Sequence, residues 1–407
     1  MVGRSASTAT YSVVTPLFLG DALRDASRVS LASFKGQLRF WWRALAWNDC
    51  LKAAVGNQGR ALAELHRREA WLFGKAGEAG EKAFGQSRVL VRLEAQALGK
   101  PLPKNHRLGP GPGARYLGYG LMGAFGKNAG VLDRSCFPAG GRFRVRLMFA
   151  KDVDASERKR VLDAAKLLGL LGGLGSRVRR GWGSLTLEKL HGPEVDWTKP
   201  ESVEGYRKAI RDIIGRPGNA TPPFSAFSDG SRIDLLATGS DPLALLDRIG
   251  REMVRYRAWG YNGKILDGEP ALQLFREDHD WAKQPWAGEK GRYLPKRAAF
   301  GLPHNYGKKC HNAGVTTTGA AGAGDRRGSP LFLHIQDLGK GRFAAVATFL
   351  PAEFTPDGKA RAKWNGGGYT APVPTNWTGT ITGWLEGDYP RDEGRAKFFP
   401  DRKTLLP

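Results

Sequence analysis

The sequence is poor in cysteine, in acidic residues and in long apolar runs. Its three cysteines, Cys50, Cys136 and Cys310, lie far apart with no Cys-x-x-Cys spacing. That excludes a disulfide framework and a cysteine-rich zinc site, and fits a reducing compartment. No stretch approaches the roughly 20 apolar residues that span a bilayer, and residues 1–10 lack the apolar core of a signal peptide. A cytoplasmic protein with no membrane partner is expected. Catalytic signatures are missing too, with no His-Glu-x-x-His and no Gly-x-Ser-x-Gly. The 39 Asp and Glu are outnumbered by 63 Lys and Arg, leaving a formal charge of +24. Solubility calls for a net charge of only roughly 2–8, so the excess points to a polyanionic partner, nucleic acid first.

Core material is plentiful: 41 % of the 407 residues are hydrophobic, with 12 Trp and 19 Phe. At roughly 100–200 residues per domain the length predicts two or three domains. Residues 11–19, β-branched and aromatic, read as a strand. Residues 34–46 place Phe34, Leu38, Trp41, Trp42 and Leu45 at helical spacing with Ser33 as N-cap. Residues 87–93 and 142–149 alternate at period two, residues 156–171 read as a helix and 184–190 as a strand. The resulting order, strand, helix, strand, strand, helix, strand, is that of a ferredoxin-like or RRM-like domain. An α+β protein follows, with domains expected at 1–192 and 193–407. In the second half, 202–214 and 242–256 read as helices, and 330–336 with 342–350 as a strand pair. Residues 99–130, with nine Gly and four Pro, read as a long loop insertion, and 305–328 as a mobile loop. Thr15-Pro16-Leu17-Phe18-Leu19 is echoed by Ser329-Pro330-Leu331-Phe332-Leu333, a short candidate repeat.

Three constellations suit an RNA backbone. Lys35, Arg39 and Arg43 stand four apart on one helix face, with no acid between residues 29 and 48. Arg142, Arg144 and Arg146 share one strand face, and Arg88 and Arg92 share another; such rows call for nearby carboxylates or a bound polyanion. The segment 172–183, GGLGSRVRRGWG, holds five glycines and three arginines with no carboxylate. Gly172, Gly173, Gly175 and Ser176 would let backbone amides approach phosphates, with Arg177, Arg179 and Arg180 adding bidentate contacts. A dinucleotide fingerprint fails here because Val178 stands where its last Gly should be, and a P-loop fails because Asn128 follows Lys127. His304, Cys310 and His311 fall short of a metal site, and Glu277-Asp278-His279-Asp280 reads as a solvated turn. No metal, cofactor or small-molecule substrate is expected. Asp21 and Asp25, after the first strand, are the carboxylates nearest the basic surface.

Taken together, Thr15-Pro16-Leu17-Phe18-Leu19-Gly20, the run Phe34-Lys35-Gly36-Gln37-Leu38-Arg39-Phe40-Trp41-Trp42-Arg43-Ala44 and residues 171–184 resemble the RAMP superfamily of CRISPR proteins. The Phe-x-Gly-x-Leu-Arg-Phe-Trp-Trp-Arg-Ala run is most similar to a Cmr subunit of type III-B effector complexes. The resemblance implies two ferredoxin-like RAMP domains with long loop insertions. It also implies a non-catalytic RNA-binding subunit of an antiviral ribonucleoprotein, whose partners are crRNA, target RNA and other Cmr subunits. The helix at Lys35 to Arg43 and the loop at 172–183 are the positions it implicates in RNA contact or assembly. The alternative is a RAMP endoribonuclease, for which no His or Lys general base stands beside Asp21 or Asp25.

Overall fold

The computed structural model describes residues 5–21, 25–75, 85–193, 195–284, 293–319, 324, 326–387 and 398–406. The chain begins with β1 (Ala6–Val13), α1 (Leu31–Ala53), α2 (Gln58–Phe73), β2 (Val89–Ala97), α3 (Pro112–Leu117), β3 (Arg142–Phe149), α4 (Ala155–Leu171) and β4 (Leu185–His191). Its first sheet has the order β2-β3-β1-β4, all antiparallel, which is the split βαβ arrangement read from the sequence. Then follow α5 (Val203–Ile214), β5 (Arg232–Gly239), α6 (Pro242–Arg257), α7 (Arg276–Lys283), β6 (His304–Asn305), β7 (Gly314–Thr317), β8 (Leu331–Asp337) and β9 (Phe343–Phe349). The chain closes with β10 (Lys359–Trp364), β11 (Gly367–Pro372), α8 (Gly379–Glu386) and β12 (Lys403–Leu406). A second sheet, β12-β5-β9-β8, repeats the ferredoxin-like order with α6 and α8 as its helices. The connections within this second unit carry β11-β10-β7-β6, a small inserted sheet. No helix among the described residues is long and apolar enough to cross a membrane.

Several local readings change. Helix α1 is capped by Ser30, whose hydroxyl accepts from Ser33 N, because the polar stretch before it ends three residues earlier than the apolar stripe suggests. Residues 14–19 are not strand but lie beneath the 172–183 loop, where Ser176 N donates to Phe18 O and Gly183 N to Pro16 O. Helix α2 has no counterpart in the sequence reading, its apolar positions Ala61, Leu65, Leu72 and Phe73 being sparse among charges. The 305–328 stretch holds β7, which pairs with β10, while Asp325 and residues 320–323 lie outside the described residues. The short echo is no repeat in the fold: its first copy follows β1 and its second opens β8. Both copies flank the same loop.

The halves are joined by core and by backbone. Helix α4 has Ala164, Ala165, Leu167, Leu168 and Leu170 wholly inaccessible, and its core runs without a break from Tyr11 and Trp41 to Phe227, Phe332 and Val346. Tyr11 reaches across to donate to Ala165 O at 2.9 Å. Strand β8 is an edge, and alternate amides on its outer side find partners in the first half. Leu333 N donates to Arg179 O at 3.0 Å. Ile335 N donates to Ser184 Oγ and Asp337 N to Thr186 Oγ1, both at 3.1 Å.

The Gly- and Pro-rich insertion at 99–130 is packed rather than loose. Its helix α3 lies against α6, where Asp247 Oδ1 accepts Gly113 N at 2.7 Å and Ala114 N at 3.2 Å. That carboxylate satisfies helix-start amides which Gly111, lacking a side chain, cannot. The glycines let the backbones meet: a Cβ on Gly250 would stand 2.0 Å from Gly113 O. In an open helix Gly→Ala gains about 1 kcal/mol of propensity, whereas here overpacking should cost more, about 1–3 kcal/mol. Gly250→Ala is therefore expected to lower the melting temperature, and a higher one would mean that α3 does not rest on α6 in solution.

Candidate nucleic-acid interface

The sequence-predicted basic residues divide between two surfaces. Helix α1 covers the inner face of the first sheet, whereas Arg142, Arg144 and Arg146 are exposed on the outer face, opposite the buried Phe143, Val145 and Leu147. Alternation along β3 keeps these sets apart. The carboxylate that the rows called for is Glu94, 3.3 Å from Arg144 and 3.6 Å from Arg146. Thr8, Thr10 and Ser12 of β1 lie opposite the three arginines.

On α1 the stripe is partly neutralised by a residue distant in sequence. Glu69 of α2, only 6 % exposed, accepts Arg39 Nε at 2.6 Å and Arg43 Nη1 at 2.5 Å. Lys35 Nζ donates to Ser87 Oγ at 2.9 Å, and burial together with Arg39 lowers its pKa. The absence of acid between residues 29 and 48 thus did not leave the stripe unpaired; its acid arrives from α2.

The 172–183 loop follows α4 directly, and its glycines serve packing. A Cβ on Gly172 would meet Trp41 Nε1 at 2.6 Å, on Gly173 the Gly183 carbonyl at 2.2 Å, and on Gly175 the Phe18 carbonyl at 2.5 Å. Gly175 also has φ +86°, a conformation that side chains other than glycine's resist. The amides of Leu174, Ser176, Arg180, Gly181 and Gly183 donate within the protein. The close backbone approach read from Gly172, Gly173 and Gly175 is made here to the protein's own chain. What the loop presents is its arginines, each sent in a different direction.

Arg177, exposed and at φ 62°, donates through Nε to Tyr119 O at 2.8 Å. Burial lowers its pKa, as do the neighbouring cations Arg134 and Arg326. Arg134 in turn donates to Ser176 Oγ at 3.2 Å. Arg179 donates to Ser329 O at 2.7 Å and lies over Phe332 at 4.5 Å and Phe40 at 5.6 Å. Beyond it Arg327 lies over Phe354 at 4.2 Å and Trp377 at 4.5 Å; burial, with Arg179 adding to it, pushes its pKa down to about 10. Arg180 turns the other way, toward Tyr116 and Arg257. None of Arg134, Arg177, Arg179, Arg180, Arg257, Arg326 and Arg327 has a carboxylate partner among the described residues.

Arg43, Arg179, Arg326 and Arg327 line one open cleft of about 370 Å³ with Phe40 and Phe354, and Glu353 is its one acid among the described residues. Sequence reading missed Arg134, Arg257, Arg326 and Arg327, which come from insertions and the second half. The only signal was the Arg326-Arg327 pair in a glycine-rich stretch.

The other sequence candidates part from this surface. Asp21 accepts Asp25 N at 3.1 Å and donates its own amide to Asp25 O at 3.0 Å, a local turn. Asp278 is not in a solvated turn: 1 % exposed in α7, it accepts Lys296 N and Arg297 N, both at 2.9 Å. Among the described residues no three potential metal ligands gather.

The Glu69 geometry yields a test. Arg39→Ala with Arg43→Ala strips a buried carboxylate of both partners, an expected cost of about 3–5 kcal/mol in urea melts. Adding Glu69→Leu should restore most of that loss. An unchanged melt of the double variant would mean that Glu69 is hydrated.

Residues 10–186 match the family model of the RAMP superfamily. The CRISPR system Cmr subunit Cmr1-1 of Pyrococcus furiosus is 24 % identical over 300 residues, covering 68 % of this chain and 80 % of that protein. The crystal structure of apo Cmr1 from Pyrococcus furiosus aligns over 98 % of both chains with a TM-score of 0.53 at 17 % identity. A chain of the type III-B Cmr-beta complex bound to cognate target RNA aligns over 94 % of this chain and 99 % of that one, with a TM-score of 0.49 at 11 % identity. The matched range runs from within β1 to the start of β4 and takes in the 172–183 loop, so the first half of the chain is similar to the RAMP superfamily and the whole chain shares the fold of Cmr1.

Proposed function

We propose that this chain is a non-catalytic RNA-binding subunit of a type III-B CRISPR (Cmr) effector complex in the cytoplasm, with crRNA, target RNA and other Cmr subunits as partners. One observation carries the RNA reading: five arginines without carboxylate partners among the described residues, Arg134, Arg177, Arg179, Arg326 and Arg327, lie on the 172–183 loop and around the cleft beside it. Guanidinium groups left unpaired at a seam suit phosphate oxygens, to which they offer bidentate bonds. The outer face of the first sheet, with Arg142, Arg144 and Arg146, is a second basic surface for RNA or for a neighbouring subunit. A non-catalytic role is supported by Asp21 and Asp25, which bond each other across a turn, with Asp25 Oδ1 also accepting from Ser135 Oγ at 3.4 Å. Strand cleavage needs a base within hydrogen-bond reach of the attacking 2′-hydroxyl.

The full chain is expected to bind single-stranded RNA with little sequence preference. With on the order of 5–8 phosphates engaged at about −0.7 per contact, log K against log salt should slope roughly −3.5 to −5.6. Arg177→Glu with Arg326→Glu should flatten that slope by about 1–2 and leave the melting temperature unchanged, because both residues are exposed. A slope near zero in filter binding, or metal-dependent cleavage products from labelled RNA, would sink the assignment.

A further inference from the structure

One charge cluster is not used by the cleft. At the C-terminal end of α6, Arg257 donates through Nη1 to the Tyr116 hydroxyl at 3.2 Å. Arg180, from the 172–183 loop, stands close to the same phenol. Arg257 packs over Phe300 at 4.4 Å, and its carbonyl accepts Arg297 Nη1 at 3.2 Å. Arg297 lies over Tyr306 at 4.9 Å, and His304 meets Tyr306 edge-on with ring centroids 4.9 Å apart. These residues come from the 99–130 insertion, the 172–183 loop, α6 and the 297–306 stretch, which meet in one cluster. Tyr116, Arg180, Arg257 and His304 are half-buried as residues, while Arg257 Nε and His304 Nε2 are themselves inaccessible.

The cluster is short of negative charge. Its cations are Arg180, Arg257 and Arg297, and its one carboxylate among the described residues is Asp278, already committed to Arg297 and to two amides. His304 stays neutral, its pKa driven well down by burial and by Arg257 and Arg297. Its hydrogen bonds are also incomplete: Arg257 Nε, His304 Nε2 and Tyr306 Oη are buried without partners. Burial pushes the Tyr116 phenol up, yet Arg257 and Arg180 hold it below its ordinary value of 10.0, so the local field favours a negative oxygen. An excess of guanidinium with unfilled donors is half of an ion-pair network.

We propose that Tyr116, Arg180, Arg257 and His304 form a binding site for one phosphate group. A tetrahedral oxyanion offers several acceptor oxygens to planar guanidinium forks arriving from different elements, and it accepts bonds from a phenol and an imidazole N–H as well. A carboxylate has fewer oxygens for the same donors. The site is separate from the arginine cleft, and its reading stands whether or not the cleft holds RNA.

The test uses the full chain at constant ionic strength and neutral pH, with inorganic phosphate, acetate or chloride as probes. Phosphate should raise the melting temperature above that in acetate or chloride. Arg257→Met should weaken phosphate binding by about tenfold or more in titration calorimetry. It should also melt no lower than the parent in chloride, because it removes an unpaired buried charge. Tyr116→Phe should weaken binding by about threefold and decides the matter if the methionine variant fails to fold. Oligouridylates with and without a 5′ phosphate distinguish the sources. Tighter binding of the phosphorylated form, lost in Arg257→Met, assigns the site to an RNA end; an equal loss for both assigns it to an internal phosphodiester. A response to inorganic phosphate alone assigns it to the free ion. Phosphate acting no differently from chloride, or acting equally on Arg257→Met, overturns the site. Failure of the RNA reading would look different: neither oligonucleotide would bind while phosphate still did.

Discussion

An edge strand that meets another part of the protein must find partners for its outer amides, and β8 depends on this. Leu333, Ile335 and Asp337 take the Arg179 carbonyl and the hydroxyls of Ser184 and Thr186 in place of a strand ladder. Each such bond is worth only about 0.5–1.5 kcal/mol net, but a buried amide left unpaired costs about 1–3 kcal/mol. The asymmetry fixes the register of the two halves against each other. Since Arg179 O is one of the acceptors, the same register sets where the 172–183 loop runs and where its arginines leave it.

The loop then acts as a hub. Its glycines let the chain pass within carbonyl distance of Phe18, Gly183 and Leu174, where no side chain would fit. Successive arginines on so tight a path cannot share a face: Arg177 goes to the Tyr119 side, Arg179 to the aromatic seam and Arg180 to Tyr116. Burial of these cations is tolerable because aromatic faces and carbonyls stand where carboxylates would otherwise be needed. The gathering of arginines at this seam therefore follows from how the two halves are joined.

Much of this was legible in the sequence because it depends on short periods. The alternation in 142–149, the spacing of Phe34, Leu38, Trp41 and Trp42, and the strand pair around residues 338–341 gave the ferredoxin-like order in the first half and part of the second. Where an answer lay in a distant segment, the same reasoning failed. Glu69 pairs with Arg39 and Arg43 from 30 and 26 residues away, and nothing local marks it as their acid. The insertion at 99–130 looked loose because its glycines were weighed for entropy alone, whereas Gly113 is needed for contact with Gly250, far along the chain. The glycines of 172–183 pose the same ambiguity: close approach to a ligand and close approach to one's own chain require the same residue.

The aromatics at the seam bear on what kind of recognition it can perform. Phe332, Phe40, Phe354, Trp377 and Phe300 each lie under a guanidinium of the protein itself, at 4.2 to 5.6 Å. Those faces are occupied and do not offer a base a stacking platform of the kind single-strand binders use. What projects from the stacked pairs is the donor edge of arginine, which matches phosphate. Phosphate contacts fix position and register but carry no sequence information. Exposed Arg142, Arg144 and Arg146, opposite Thr8, Thr10 and Ser12, likewise offer charge and hydroxyls without an aromatic plane. Cation–π pairing thus engages these rings at the seam, whereas Tyr119, whose carbonyl Arg177 bonds, keeps an exposed ring beside the same loop.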